Sequence, residues 1–358
     1  MSEELEPEVF DVIVIGGGTA GLSGALTLSR ARRSVLVLDA EEPRNAPARA
    51  AHGLLTRDGA DPSDLLSAGR DEVGRYGGRM LCERVTRATR EDGAFTVGTD
   101  GGRSYRARRL LVTTGLVDEL PPVPGLAERW GRDVLHCPYC HGWEVRDTPI
   151  GVLGTSAASV HQALLFRQWS DRVTLFLHTG PEPGEDQGER LAARGIEVVR
   201  GEVTGLETTG EELSGVRFDD GSVFPVRSLV VAPRFVARGE LLAGLGAGPA
   251  PHAGGGGTCV PVDPGGATDV AGVWAAGNVA DAMAGLAQAQ AGGVTAAAAI
   301  NADLVEADTE EAVARHRAAS FRASFGAESE ARAAERVLGV RRHGLDSLLP
   351  GSRGRGGS

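Results

Sequence analysis

A glycine-rich turn between an apolar run and a helix-forming stretch constrains this chain more than any other feature. Phe10–Ile15 reads FDVIVI, β-branched and apolar, and breaks into GGGTAGLSGALTLSRA. Ser34–Leu38, SVLVL, reads as the next strand. In a strand–turn–helix–strand unit each glycine of Gly16-x-Gly18-x-x-Gly21 has a separate task. Gly16 permits the tight turn, Gly18 lets backbone approach a pyrophosphate, and Gly21 allows helix and strand to pack closely. Backbone N–H groups at the helix start then face negative phosphates. Asp39, at the end of the second strand, suits hydrogen bonds from ribose hydroxyls. The pattern predicts a dinucleotide site without choosing between FAD and NAD.

The chain of 358 residues with 41% hydrophobic content is long enough for two domains. Residues 44–62 read as irregular, and Ser63–Tyr76 as a helix. Strand pieces follow near 81–86, 94–98, 103–106 and 110–112. PPVPG at 121–125 signals a linker. A second β-α-β unit follows: strand Pro149–Leu153, helix Ser156–Trp169, strand Arg172–Leu177. Residues 180–189 read as a polar turn, a helix ends at Leu191–Arg194, and IEVV at 196–199 is a strand. The Gly/Pro-rich stretch 250–269 suggests a second crossing between domains. Val273–Ala276 is a short strand, 285–303 an Ala-rich helix, 308–337 an amphipathic helical extension, and GSRGRGGS a flexible tail. The expected fold class is α/β: two Rossmann-like three-layer nucleotide-binding domains, the second inserted into a discontinuous first. The expected boundaries are 1–120 and 250–305 for the discontinuous domain, 121–249 for the insert, and 306–358 for the extension and tail.

The formal net charge of −11 argues against non-specific nucleic-acid binding. The start MSEELEPEVF lacks the basic and apolar regions of a secretory signal, and no apolar run approaches a membrane span. A soluble, cytoplasmic protein is expected. Cys82 and Cys259 are isolated and read as ordinary core or surface residues. Cys137 and Cys140 differ, because Cys137-Pro138-Tyr139-Cys140 spaces two thiols for a small disulfide ring. A thiolate in such a pair exchanges readily, and two thiols carry two electrons. His136 and His141 flank the pair, which leaves a mixed Cys/His zinc site as an alternative; no metal is expected. His141 is suited to move protons near neutral pH, or else simply satisfies local hydrogen bonds. Glu144 is a candidate supporting group.

On these residues the chain resembles the thioredoxin reductase family of pyridine-nucleotide-disulphide oxidoreductases, over roughly residues 9–304. GGGTAGLSGA matches the family's FAD loop, the dithiol lies at the start of the inserted domain, and VWAAGNVAD at 273–281 resembles its second FAD signature. The resemblance implies FAD held by Gly16, Gly18, Gly21, Asp39, Gly277 and Asn278. It implies electron exchange between FAD and the Cys137–Cys140 disulfide, with Cys140 facing the isoalloxazine and Cys137 meeting the substrate. His141 stands where the family has an acidic residue, and domain rotation would alternate access. A thioredoxin-like protein or a small-molecule dithiol or disulfide is the implied partner, and a homodimer the implied assembly.

Three departures matter, the first in the second FAD signature and the other two at the nicotinamide site. Asn278 replaces an aspartate. The insert reads Gly154-x-Ser156-x-x-Ser159 where a third Gly or an Ala completes the fingerprint. Leu177-His178-Thr179-Gly180 lacks the basic cluster that selects the NADPH 2′-phosphate. NADPH, NADH and no nicotinamide all stay open. CPYCHGWE also looks like the flavin dithiol oxidases related to thioredoxin reductase, in which oxygen is the final acceptor. A flavin-binding redox sensor is a further alternative.

Overall fold

The computed structural model describes residues 9–338 except 92, 253–255 and 326. The GSRGRGGS tail and the first residues of MSEELEPEVF lie outside the described residues. In chain order the first part comprises β1 (Val9–Ile15), α1 (Thr19–Arg30), β2 (Val35–Asp39), α2 (Pro62–Arg75), β3 (Arg79–Cys82), β4 (Val85–Glu91), β5 (Ala94–Thr99), β6 (Ser104–Val112) and β7 (Leu116–Glu119). The middle comprises α3 (Leu126–Arg129), β8 (Val134–Leu135), α4 (Pro138–His141), β9 (Ile150–Leu153), α5 (Ala158–Phe166), β10 (Val173–Phe176), α6 (Glu185–Ala193), β11 (Glu197–Val199), β12 (Val203–Thr209), β13 (Glu212–Phe218), β14 (Val223–Phe224) and β15 (Ser228–Val230). The last part comprises β16 (Arg234–Ala237), β17 (Ala250–Pro251), β18 (Thr258–Cys259), β19 (Val273–Ala275), α7 (Leu286–Phe325) and α8 (Ala327–Leu338).

Two Rossmann-like sheets result. The first runs β3-β2-β1-β6-β5-β4, with late strand β19 pairing parallel to β6, Val273 opposite Leu110. That pairing makes the first domain discontinuous, since β19 lies beyond the whole middle part. The second runs β11-β10-β9-β15-β8, all parallel. The continuous apolar runs seen in the sequence follow from this, because a parallel strand is covered on both faces. Val12–Ile15 and Ile150, Val152 and Leu153 are buried. Burying each such side chain contributes roughly 1.5–3 kcal/mol. The antiparallel pair β7–β16 connects the two sheets, Val117 opposite Val236.

Several expectations are corrected. The pieces at 103–106 and 110–112 are one strand, β6, and its arginine run is tolerated because Arg108 Nη1 donates to Asp11 Oδ1 at 2.9 Å. The polar turn at 180–189 is shorter, since α6 begins at Glu185. Acidic Glu185 and Asp186 suit a helix N-terminus, and Gln187 Oε1 accepts the Gly184 N–H at 3.1 Å. Helix α5 is shorter than 156–169. The Ala-rich helix and the start of the extension form one helix, α7, because no Gly or Pro interrupts 294–325. The described residues divide into two compact units at Ala302/Asp303; α7 begins in the first, and its remainder and α8 belong to the second. Among the described residues no helix is long and apolar enough to cross a membrane.

Candidate redox cleft

The turn after β1 is built around contacts that only glycine tolerates. Gly16 has φ +104°, and a Cβ there would sit 2.5 Å from the Thr113 carbonyl oxygen. A methyl group on Gly21 would run into the Gly16 carbonyl and Thr113 Oγ1, while that hydroxyl donates to Gly16 O at 2.8 Å. Gly18 differs: nothing lies within 4 Å of its would-be Cβ, so its backbone is open at the start of α1. Sequence reasoning missed Gly17, whose Cβ would come 2.7 Å from Asp39 Oδ2. The contact is made across two strands and carries no local signal.

The second signature closes on the same turn. Gly277 has φ +73°, and a Cβ there would lie 2.8 Å from that of Ala20. Gly293 of α7 packs directly on the Ala20 carbonyl, so small residues let α7 approach α1 and bring its first turn to the cleft. Asn278 is tied to its own loop. Its Nδ2 donates to the carbonyls of Asp281 at 3.1 Å and Ala284 at 2.9 Å, and its Oδ1 accepts from Arg44 Nη1 at 3.2 Å. Arg44 also grips Asp118 with two N–H groups, at 2.8 and 2.7 Å, and covers the Phe235 ring at 5.3 Å. Arg44 therefore fastens the β7–β16 ribbon to the Asn278 loop; no sequence motif announced it.

The thiols line the same cleft. Cys137 and Cys140 are closed as a disulfide, with Cα atoms 5.3 Å apart. Cys137 caps the short helix α4, and its Sγ accepts the Cys140 backbone N–H at 3.2 Å. Both cysteines are half-buried and Tyr139 between them is exposed. Burial pushes the half-buried His141 below the ordinary imidazole range, opposed by the nearby Glu144 carboxylate and assisted by His52. His136 is also held low by burial; its Nδ1 lies 3.1 Å from Val231 O and its ring meets the edge of Phe235.

One cleft of about 1060 Å³ gathers these groups. Gly16, Gly18, Asp39, Gly277, Asn278, Cys137, Cys140 and His141 line it. Gly21 does not, and serves the packing behind it. Cys82 lies apart, donating to Glu41 Oε2 at 3.3 Å, and Cys259 is a half-buried thiol with its ionisation disfavoured by burial. Among the described residues no group of three or more His, Cys, Asp and Glu is arranged to hold a metal ion.

At the corresponding place in the second sheet, a methyl group on Gly154 would sit 2.6 Å from the Phe176 carbonyl, and Gly180 N–H donates to Gly154 O at 2.8 Å. His178 follows β10 and accepts the Val203 N–H on Nδ1 at 3.1 Å, with burial keeping it neutral.

The family model for pyridine nucleotide-disulphide oxidoreductases matches residues 10–298. The crystal structure of HlmI is 43% identical, covering 92% of this chain and 98% of that one, with a TM-score of 0.79. Thioredoxin reductase sirT of Leptosphaeria maculans is 31% identical over 319 residues, which is 84% of this chain and 96% of sirT. A protein of Arthroderma benhamiae is 40% identical over 152 residues, a match spanning 40% of this chain and 38% of that protein.

Proposed function

The chain belongs to the pyridine nucleotide-disulphide oxidoreductase family, and from that premise we infer that it is an FAD-dependent thiol–disulfide oxidoreductase acting through Cys137 and Cys140. One observation carries the reading: the disulfide and the glycine turn with Asp39 line the same cleft. The residues fit FAD. The open backbone at Gly18 and the start of α1 would take the pyrophosphate, Asp39 the ribose, and the Gly277–Asn278 turn the ribityl chain beside the pyrophosphate. FAD bound there supplies a two-electron redox partner for the thiol pair.

The chain's own groups then divide the work. Cys137 exchanges with substrate, because the Cys140 N–H favours negative charge on its sulfur. Cys140 is the partner that closes the ring and faces FAD. His141 accepts and returns thiol protons, since burial leaves it mostly neutral at neutral pH. The substrate is a thioredoxin-like protein or a small dithiol or disulfide, and the assembly is a homodimer. The domain boundaries that accompany this reading are 1–120 with 250–305, 121–249, and 306–358.

His178 favours a second reading, oxidation of a small dithiol with oxygen as final acceptor. The side chain that follows β10 is neutral and already occupied by Val203, so it supplies no cation for a nicotinamide 2′-phosphate. Anaerobic titration of flavin-loaded protein separates the two. Bleaching of the flavin band by NADPH or NADH supports the reductase. Bleaching by dithiothreitol alone, with peroxide on admitting air, supports the oxidase. Protein that takes up no FAD on reconstitution contradicts both.

A further inference from the structure

The loop 51–60 brings a second histidine to the dithiol. Ala51 and Ala60 form an antiparallel bridge, and Gly59 N–H donates to Ala51 O at 2.8 Å, so the loop is closed at its base. Within it Asp58 Oδ1 accepts the Gly53 N–H at 2.9 Å, and Asp58 lies 3.4 Å from His52 Nδ1. This fixes the ring so that the other nitrogen, Nε2, lies 3.4 Å from Glu144 Oε1. Glu144 is three residues beyond His141, on the segment that carries the thiols. His52 and His141 both line the cleft with Cys137 and Cys140. Side-chain exposure rises from 22% at His52 to 42% at Glu144 and 68% at Asp58, so the set runs from the cleft to water.

We propose that His52, oriented by Asp58 and paired with Glu144, is a positioning residue that discharges His141 to solvent during thiol–disulfide exchange. The proposal rests on the thiol–disulfide reading above.

The task of such a group follows from proton counting. A substrate dithiol gives its first proton to His141, and the thiolate attacks Cys137 Sγ. The Cys137–Cys140 bond breaks and its electron pair stays on Cys140. The second substrate thiol must then lose its own proton before its thiolate attacks the first substrate sulfur and displaces Cys137. The substrate is oxidised by two electrons, the cysteine pair is reduced by two to thiolates, and two protons leave the substrate thiols. One imidazole holds only one of them at a time. His141 must therefore be emptied between the two attacks, onto the Cys140 thiolate or to solvent, and the Glu144–His52–Asp58 set offers the route to solvent.

The charges that bear on His141 are Glu144 and His52, with opposite effects. Those that bear on His52 are Asp58 and Glu144. Removing Glu144 therefore lowers the pH at which His141 titrates, and removing His52 raises it.

The test is stopped-flow reduction of the flavin-loaded protein by dithiothreitol under anaerobic conditions, across pH, for wild type, His52→Gln, Asp58→Asn, Glu144→Gln and Cys137→Ser. The expected result is a loss of about tenfold in His52→Gln at neutral pH. Its acid limb moves to higher pH, and that of Glu144→Gln to lower pH. A purely structural role would not give shifts of opposite sign. Profiles for His52→Gln and Glu144→Gln that superimpose on wild type overturn the proposal. If His52→Gln does not fold, Asp58→Asn and Glu144→Gln decide the matter, with unchanged rates and profiles again overturning it. Wild-type rates in Cys137→Ser would instead overturn the underlying reading.

Discussion

Cys140 donates its backbone N–H to Cys137 Sγ at 3.2 Å, so the two sulfurs of the pair are not equivalent. The donor belongs to the backbone and stays in place when the disulfide opens. It favours the thiolate of Cys137 over that of Cys140. In the reduced protein, limiting iodoacetamide at neutral pH is expected to label Cys137 first. Peptide mass spectrometry reads the order, and preferential labelling of Cys140 would reverse the assignment of roles.

Gly18 and Gly21 separate binding from folding. Gly21→Ala forces a methyl into the Gly16 carbonyl and is expected to cost about 1–3 kcal/mol of stability. Gly18→Ala meets no protein atom within 4 Å. It is expected to keep the stability of the flavin-free protein within about 1 kcal/mol, the range of an N-cap change. Its FAD affinity should nevertheless fall. Denaturant melts of flavin-free protein and fluorescence titration with FAD check the pair.

Asn278 gives a third prediction. Its Nδ2 donates to two loop carbonyls, and an aspartate has no hydrogen to offer them at neutral pH. Asn278→Asp therefore leaves carbonyls facing a carboxylate, even though the Arg44 contact is kept. The expected destabilisation is about 1–3 kcal/mol, with weaker FAD binding, in melts and titrations. A variant as stable as wild type would show that these hydrogen bonds contribute little.

Half-buried histidines set a pH dependence for stability. His136, His141 and His178 all titrate below the ordinary value of 6.5 in the folded chain, each because burial disfavours the cation. The unfolded chain then binds more protons than the folded one as pH drops below 6.5. The stability they contribute is complete above 6.5 and is lost as pH falls from there through their folded values. Tm should decline on acidification from pH 7.5 to 5, and less steeply in His136→Asn. An unchanged slope in that variant would remove His136 from the account.

The parts legible in the sequence were those with local causes. The GxGxxG turn, Asp39 at the end of β2 and the CPYC pair each depend on neighbours within a few residues, and all line or support the cleft. Gly17 was missed because its constraint is the Asp39 side chain, brought across by strand pairing. His52 was missed because residues 44–62 have no periodicity, and its partner Glu144 is distant in sequence. Arg44 was missed for the same reason, since Asp118, Phe235 and Asn278 meet it only once β7, β16 and the late signature assemble. Strand β6 runs unbroken through Arg106, Arg108 and Arg109. Asp11 on the neighbouring strand neutralises one of them.

The central claim is that electrons pass between thiol substrates and the flavin site through Cys137. Its most direct test is anaerobic reduction of flavin-loaded wild type and Cys137→Ser by dithiothreitol, followed at the flavin absorption band. Bleaching in wild type with at least about a hundredfold slower bleaching in the variant is the predicted result. Equal rates in the two proteins would contradict it.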